Sequence, residues 1–308
     1  MFEGILGIKK SIFGLDIGLK TMKLVQIRGS GPGAYLVGAI EVTVPEHCIT
    51  KEGVKNKAEL AKVIHEATQK AKPHKITAGL VASALPESLV FTKSLTVPKM
   101  TDEELAKNIP FQATEFFPIS PDETYMDWQA VDHLPNGSME ILVVAAPKIL
   151  VNDLIDTTDK AGFELMGLET KPIAITRALV PAKTMAPVLV IDIGAESSAI
   201  TCFAEGSIKL TSTVTLGGNK IAEDIPEGAR IMATEAGHLI KYYQNRLSAV
   251  QIFKKIYLGG GGANIKGLAG LIEDATKIQT EVAEPCIKVS HYDPKFAVAI
   301  GLALKEIK

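Results

Sequence analysis

Cysteine is scarce in this chain of 308 residues: Cys48, Cys202 and Cys286 stand far apart and form no CxxC pair. Neither a zinc site nor a disulfide framework is indicated. Cys202, inside an apparent strand, reads as a small buried hydrophobe. An excess of charge is missing too, since the formal net charge is −2, and this excludes a strongly basic face for nucleic acid. No run approaches the roughly 20 apolar residues that a membrane helix needs. The mildly apolar stretch from Met1 to Phe13 lacks the order and cleavage site of a secretion signal, so a cytosolic protein is expected. A P-loop GxxxxGKS and a Rossmann GxGxxG in place are also absent.

What is present is an ordered, two-part chain. Hydrophobic residues make up 46% and charged residues 22%, the balance of a globular protein with more than one core. Gly14-Leu15-Asp16-Ile17-Gly18 recurs in kind as Val190-Ile191-Asp192-Ile193-Gly194. Each time an apolar run enters Asp-Ile-Gly and a second run leaves, Lys23 to Arg28 or Ser198 to Ala204. This is the pattern of a β-hairpin. A third strand follows in each half, Tyr35 to Val42 and Ile208 to Thr215. Helical spacing then appears at Leu60, Val63, Ile64 and Ala67, at Leu239, Ile240, Tyr243 and Leu247, and from Phe296 to Ile307. Strands followed by helices in both halves predict an α/β protein of two lobes with covered sheets.

Between the hairpins, residues 76–146 have another character. Strand-like runs at Ile76–Val81, Leu89–Val97 and Ile141–Ala145 surround an acidic helix, with Thr101 and Glu104 spaced as a capping box. Pro110 is expected to bend or end that helix, and Pro135-Asn136-Gly137 marks a turn. The stretch reads as a subdomain inserted into a first lobe of residues 1–170. The second lobe would span 171–308, with a reduced insertion at about 216–252. From Leu216-Gly217-Gly218-Asn219 the chain reaches the helix at Glu235 in under about twenty residues, too few for a full subdomain.

A Gly-containing turn lets the backbone approach an anion, and its N–H groups can point at phosphate oxygens. An Asp beside it can hold Mg²⁺ through water. Two facing turns would make a two-sided phosphate clamp. Leu258-Gly259-Gly260-Gly261-Gly262-Ala263-Asn264, between an apolar strand and a helix-like Ile265 to Ile272, would leave room for a flat ligand and present a helix N-terminus to negative charge.

These three elements together resemble the phosphate-one, phosphate-two and adenosine motifs of the actin and sugar-kinase superfamily. The block Asn108 to Ile119, Tyr125 to Val131, Ile141 to Lys148 and Lys171 to Leu179 is similar to the PilM family of type IV pilus assembly proteins and to its relative FtsA. The resemblance implies an actin-like, ribonuclease H-like two-lobed fold. It implies that Asp16, Gly18 and Thr21 form the first phosphate loop and Asp192, Gly194, Ser197 and Ser198 the second. Asp16 and Asp192 would hold Mg²⁺ through water, and Gly259, Gly260 and Gly261 would lie against adenosine. Glu169 would orient water at the inter-lobe segment. ATP or ADP is the implied cofactor. The implied partner is the N-terminal tail of a PilN-like membrane protein, held in a groove between the first lobe and its insert that Phe111, Phe116 and Phe117 would line. Pilus motor ATPases or self-association are further partners to consider.

Lys20 and Glu196 depart from the family pattern, since the loops normally carry small or hydroxylated residues there, and a carboxylate aimed at phosphates would repel them. An FtsA-like polymerising ATPase would have an amphipathic C-terminal anchor. A sugar-type kinase would need a catalytic carboxylate near Glu223, Asp224 or Glu227 and a substrate pocket. A scaffold, at most a slow ATPase at the inner face of the cytoplasmic membrane, is the leading expectation.

Overall fold

The computed structural model describes residues 11–29, 33–50, 53–85, 89–113, 115–117, 119–134, 136–245, 252–289 and 292–305. The expected positions Leu247 and Ile307, most of Met1 to Phe13, and Pro135 lie outside them. The first repeat forms a meander of β1 (Ile12–Ile17), β2 (Thr21–Arg28) and β3 (Tyr35–Thr43). A small ribbon of β4 (Ile49–Thr50) and β5 (Gly53–Val54) leads to α1 (Lys57–Lys70), capped by the Asn56 side chain on the Glu59 N–H at 3.1 Å. After the short β6 (Lys72–Pro73), β7 (Leu80–Leu85) lies parallel to β1. The chain then leaves for an insert of β8 (Phe91–Pro98), α2 (Asp102–Ala113), β9 (Thr124–His133) and β10 (Ser138–Pro147). It returns through α3 (Lys148–Lys160) to β11 (Glu164–Thr170). The first sheet is ordered β11-β7-β1-β2-β3-β6.

After α4 (Lys171–Leu179) the plan repeats as β12 (Val188–Ile193), β13 (Ser198–Ala204) and β14 (Ser207–Val214). Helices α5 (Gly218–Glu223) and α6 (Ile225–Gln244) follow, then β15 (Lys255–Gly259), α7 (Leu268–Thr276), β16 (Thr280–Val282) and α8 (Ala297–Ala303). The second sheet is ordered β14-β13-β12-β15-β16. Leaving aside short β6, the two sheets share one order: three antiparallel strands, then two parallel to the first.

Period-two alternation gives β1 two apolar faces. Phe13, Leu15 and Ile17 pack with Leu60, Ile64, Leu150 and Leu154 of α1 and α3, outside the first sheet. Ile12, on the opposite face, joins a core with α4, α8 and Val188 and Val190 of β12. The other face of β12, Leu189, Ile191 and Ile193, packs with α6 and α7. Helices α4 and α8 therefore form one layer between the two sheets. The layer is tight because two positions carry no side chain. A Cβ on Gly14 would strike the Ala299 carbonyl, and one on Gly301 the Ala174 carbonyl.

Several expectations need correction. The run at Ile76–Val81 does not open the insert. Its end belongs to β7, a strand of the first sheet, so the separate three-stranded sheet, ordered β8-β10-β9, starts at Phe91. Nor does the second lobe own everything after 170, because α8 joins the core of β1, β2 and β7. Pro110 does not end α2, which runs on to Ala113, although the Thr101–Glu104 capping box forms as expected. The second-lobe helices begin at Gly218 rather than near Glu235. The insert has a core of its own, with Leu95, Val97, Leu105, Ile109, Phe117 and Ile141. It is tied to the second lobe where Lys209 Nζ donates to the Val131 carbonyl at 2.7 Å.

Gly301→Val is expected to lower unfolding stability by about 3 kcal/mol, because the new side chain meets backbone that cannot move aside. Gly270→Ala in α7, where nothing lies within 4 Å of the added Cβ, should instead gain roughly 0.5–1 kcal/mol. Urea unfolding of both variants checks the contrast.

Candidate functional site

The two Asp-Ile-Gly turns are built alike at atomic detail. In the first, the Gly18 N–H donates to the Thr21 carbonyl at 3.0 Å; in the second, Gly194 N–H donates to Ser197 at 3.0 Å. A Cβ on either glycine would come within 2.9 Å of that same carbonyl, so both turns need glycine for the same steric reason. Asp16 and Asp192 are the next-to-last residues of the central strands β1 and β12. Lys171, the first residue of α4, reaches Asp16 Oδ1 at 2.9 Å. The Asp192 carboxyl is pushed up to about 6, chiefly by loss of hydration. The Lys171 charge works against that shift and the nearby Asp16 carboxylate adds to it. Asp16, bound to Lys171, and Asp192 therefore lie near one another at the ends of the two repeats.

Cross-strand register extends the charged face. Asp16 opposes Lys23, and Lys23 opposes Glu41. Lys23 Nζ donates to the Thr21 hydroxyl at 2.7 Å and lies 3.6 Å from Glu41. Lys295, beside Gly261 in the second lobe, pairs with Glu41 at 2.7 Å. The two departures from the loop pattern meet as well: Lys20 Nζ and Glu196 Oε1 are 2.7 Å apart, joining the tips of the two turns.

The other expected residues divide. Ser198 is buried and its hydroxyl donates to the Leu216 carbonyl at 2.6 Å, so it holds the turn in place, whereas Ser197 is exposed. In the glycine run, a Cβ on Gly259 would hit Ile175 and Leu179 of α4; one on Gly260 would hit Asp192 and Ile193; one on Gly262 would hit Ile193. These glycines are required by internal packing, and only Gly261 among the four has its nearest neighbour, Lys295 Cβ, at an ordinary 3.8 Å. The run does not open an α-helix either. It forms a 3₁₀ turn, Gly261–Asn264, and α7 starts at Leu268.

Glu169 is placed apart from the expected role. Both carboxylate oxygens are occupied, by Arg177 at 2.8 and 3.0 Å and by Lys305 at 2.7 Å, and Arg177 also donates to the Gly301 carbonyl. Burial alone would raise its pKa, but the bonds from Arg177 and Lys305 overcome this and hold it below the usual range. Engaged by two cations in this way, Glu169 ties β11 to α4 and to Lys305 just after α8.

A cavity of about 330 Å³ lies where the insert, the first lobe and the second lobe meet. Its walls include Phe91, Phe116 and Phe117 from the insert, Leu85 from β7, and Thr211 and Thr213 from β14. Phe116 and Phe117 both line this cavity, which also has a second-lobe wall. Phe111 is not part of it; it is 76% exposed on α2. The sequence reading missed Lys171, Lys93, Thr211 and Thr213. For Lys171 a signal existed, since a cation at a helix N-terminus opposes the helix dipole and needs a reason to be there. For the threonines there was none.

Among the described residues no group of three or more His, Cys, Asp or Glu could hold a metal unaided. Two cleft carboxylates nevertheless suit Mg²⁺, which commonly binds one or two carboxylates together with waters and ligand phosphates. None of the helices described is long and apolar enough to cross a membrane.

Two sheets of one strand order, joined through a shared helix layer and meeting at paired Asp-Ile-Gly turns, make this an actin-like protein. The family model for the type IV pilus assembly protein PilM matches residues 14–245 and 229–307. The chain belongs to the PilM family. A solved PilM-PilN type IV pilus biogenesis complex is similar at 25% identity and a TM-score of 0.77, covering 96% of this chain and 98% of that one. The ethanolamine utilization protein EutJ from Carboxydothermus hydrogenoformans shares the fold at 16% identity and a TM-score of 0.54, covering 95% of this chain and 88% of that one. The cell division protein FtsA of Bacillus subtilis (strain 168) is 29% identical over 126 residues, 39% of this chain and only 29% of FtsA's length.

Asp192→Asn should stabilise the protein at pH 7.5 by up to about 3 kcal/mol, the worth of a rise from 3.8 to about 6. A folded-state pKa above the unfolded value favours folding at low pH and is a loss above the folded pKa. The gain should therefore fade as pH falls from 6 towards 4. Glu169→Gln has the opposite sign: a loss of about 1–3 kcal/mol at neutral pH that shrinks below the ordinary Glu pKa of about 4. Thermal unfolding at several pH values tests both.

Proposed function

We propose that this chain is an assembly scaffold that binds an adenine nucleotide with Mg²⁺ between its lobes and the N-terminal tail of a PilN-like membrane protein in its groove. The observation that carries the nucleotide half is the pair of turns with matching backbone hydrogen bonds, in contact through Lys20 and Glu196, each following an Asp of its central strand. Backbone N–H groups of the two turns would face the phosphates, Asp16 and Asp192 would hold Mg²⁺ through water, and Lys171 and Lys23 would balance the charge. A solved relative in the same fold class, MreB5 of Spiroplasma citri, was captured bound to ADP (TM-score 0.50, 11% identity, covering 95% of this chain and 94% of that one). That likeness speaks for the fold alone.

The partner half rests on family membership and on the cavity. Apolar walls from Phe91, Phe116 and Phe117 would take apolar side chains of an extended tail, and hydroxyls such as Thr211, buried without a partner, would take its polar groups. Attachment to the cytoplasmic membrane would then come through the partner. Hydrolysis is not part of this reading, because Glu169 is committed to Arg177 and Lys305.

Isothermal calorimetry with ATP and Mg²⁺ should show binding by the native chain and a loss of about tenfold or more for Asp192→Ala. A synthetic peptide of a PilN-like tail should bind in the same cell, and Phe116→Ala should weaken it by about 1–2 kcal/mol, a truncated contact residue. No peptide binding at high micromolar concentration would count against the scaffold.

A further inference from the structure

The pair Lys20–Glu196 sits where the proposed phosphate site must open. Each residue is at the tip of its Asp-Ile-Gly turn, and the 2.7 Å contact between them spans the two lobes. Asp16, four residues before Lys20, is only 5% exposed, while Asp192, four before Glu196, is half-buried. The two side chains are 65% and 50% exposed. Such a pair contributes little to stability, because water competes for both charges. Its position is what distinguishes it. A polyphosphate seated between the turns would need the space that the two side chains now bridge, and it would meet a carboxylate of its own sign.

The exchange has a clear direction. A lysine ammonium offers three N–H donors and no acceptor, and a phosphate with more charge and more oxygens than a carboxylate is the stronger partner for it. The Glu196 side chain is 50% exposed at its turn, so water can solvate the carboxylate where Lys20 leaves it. The neighbouring inter-lobe pair, Glu41–Lys295, differs: Lys295 is also tied to Asp293 at 3.4 Å, and Asp293 accepts from Asn264 at 3.0 Å. That network is anchored on the second lobe, whereas Lys20 and Glu196 each reach out from a loop tip.

We propose that Lys20 is a polyphosphate-binding residue for which Glu196 and a polyphosphate anion compete, so that the contact across the two turns is a latch that such an anion displaces. The inference rests on the nucleotide reading above. It assigns roles to the two residues that depart from the loop pattern. Glu196 is an internal competitor that lowers affinity, and Lys20 is a ligand that restores it.

Calorimetry on the full chain tests this with two probes, Mg-ADP and sodium tripolyphosphate, the second lacking adenosine. Four proteins are compared: native, Glu196→Gln, Lys20→Gln, and Glu66→Gln. The last removes one negative charge from an exposed pair with Lys70 on α1, on the outer side of the first sheet. Glu196→Gln should tighten both probes about tenfold, Lys20→Gln should weaken both about tenfold, and Glu66→Gln should change neither. Native binding with no tightening in Glu196→Gln overturns the latch and leaves the nucleotide reading standing. Equal tightening in Glu66→Gln also overturns it, since net charge would then be the cause. Absence of binding of either probe by all four proteins overturns the latch together with the nucleotide reading.

Discussion

The close backbone contact of β1, α8 and α4 sets the distance between the lobes, and the remaining geometry follows from it. Each sheet has one face covered by its own outer helices and one face that must be buried against the other half. A single helix layer does this only because Gly14 and Gly301 let backbone meet backbone. Interiors are packed too densely to absorb extra atoms at such points. With the layer fixed, the ends of β1 and β12 are fixed too, and Asp16 and Asp192 come to share a space. Glu169, Arg177 and Lys305 reinforce the same layer by tying β11, α4 and the end of α8 together.

Electrostatics then gives the cleft its character. Bringing two carboxylates together away from water is unfavourable, and the chain offsets it with Lys171, inserted at the start of α4. What is left over is visible in the raised pKa of Asp192. A site that holds unrelieved negative charge beside lysines and backbone N–H groups is suited to a metal–phosphate pair, which brings both signs at once. The groove belongs to the same mechanical unit, since Thr213 on its wall pairs in register with Ala199, and Ala199 with Asp192. Three adjacent strands thus connect the cavity wall to Asp192.

Local chemistry was legible wherever the determinants are neighbours in sequence. The hairpin strand Ser198–Ala204 has the bounds that its apolar run suggests. Leu60, Ile64 and Ala67 are buried at helical spacing, and Thr101 and Glu104 cap each other. The glycine run shows the limit. Its composition suggests space for a ligand, yet Gly259, Gly260 and Gly262 are filled against by α4, Asp192 and Ile193. An absent side chain looks the same in a sequence whether a ligand or another backbone takes its place.

The sequence by itself determined the hairpin strands, the twofold repeat, the two turns and the family, because each of these is written in short-range patterns of apolar, polar and glycine residues. Only the tertiary structure decided which sheet owns Leu80–Leu85, that α8 crosses to the first sheet, that Glu169 is locked between two cations, and that Lys20 meets Glu196. The physical reason is common to all four. Strand pairing, helix docking and ion pairs between distant residues depend on how the chain closes in space, and identical local sequence is compatible with several closures.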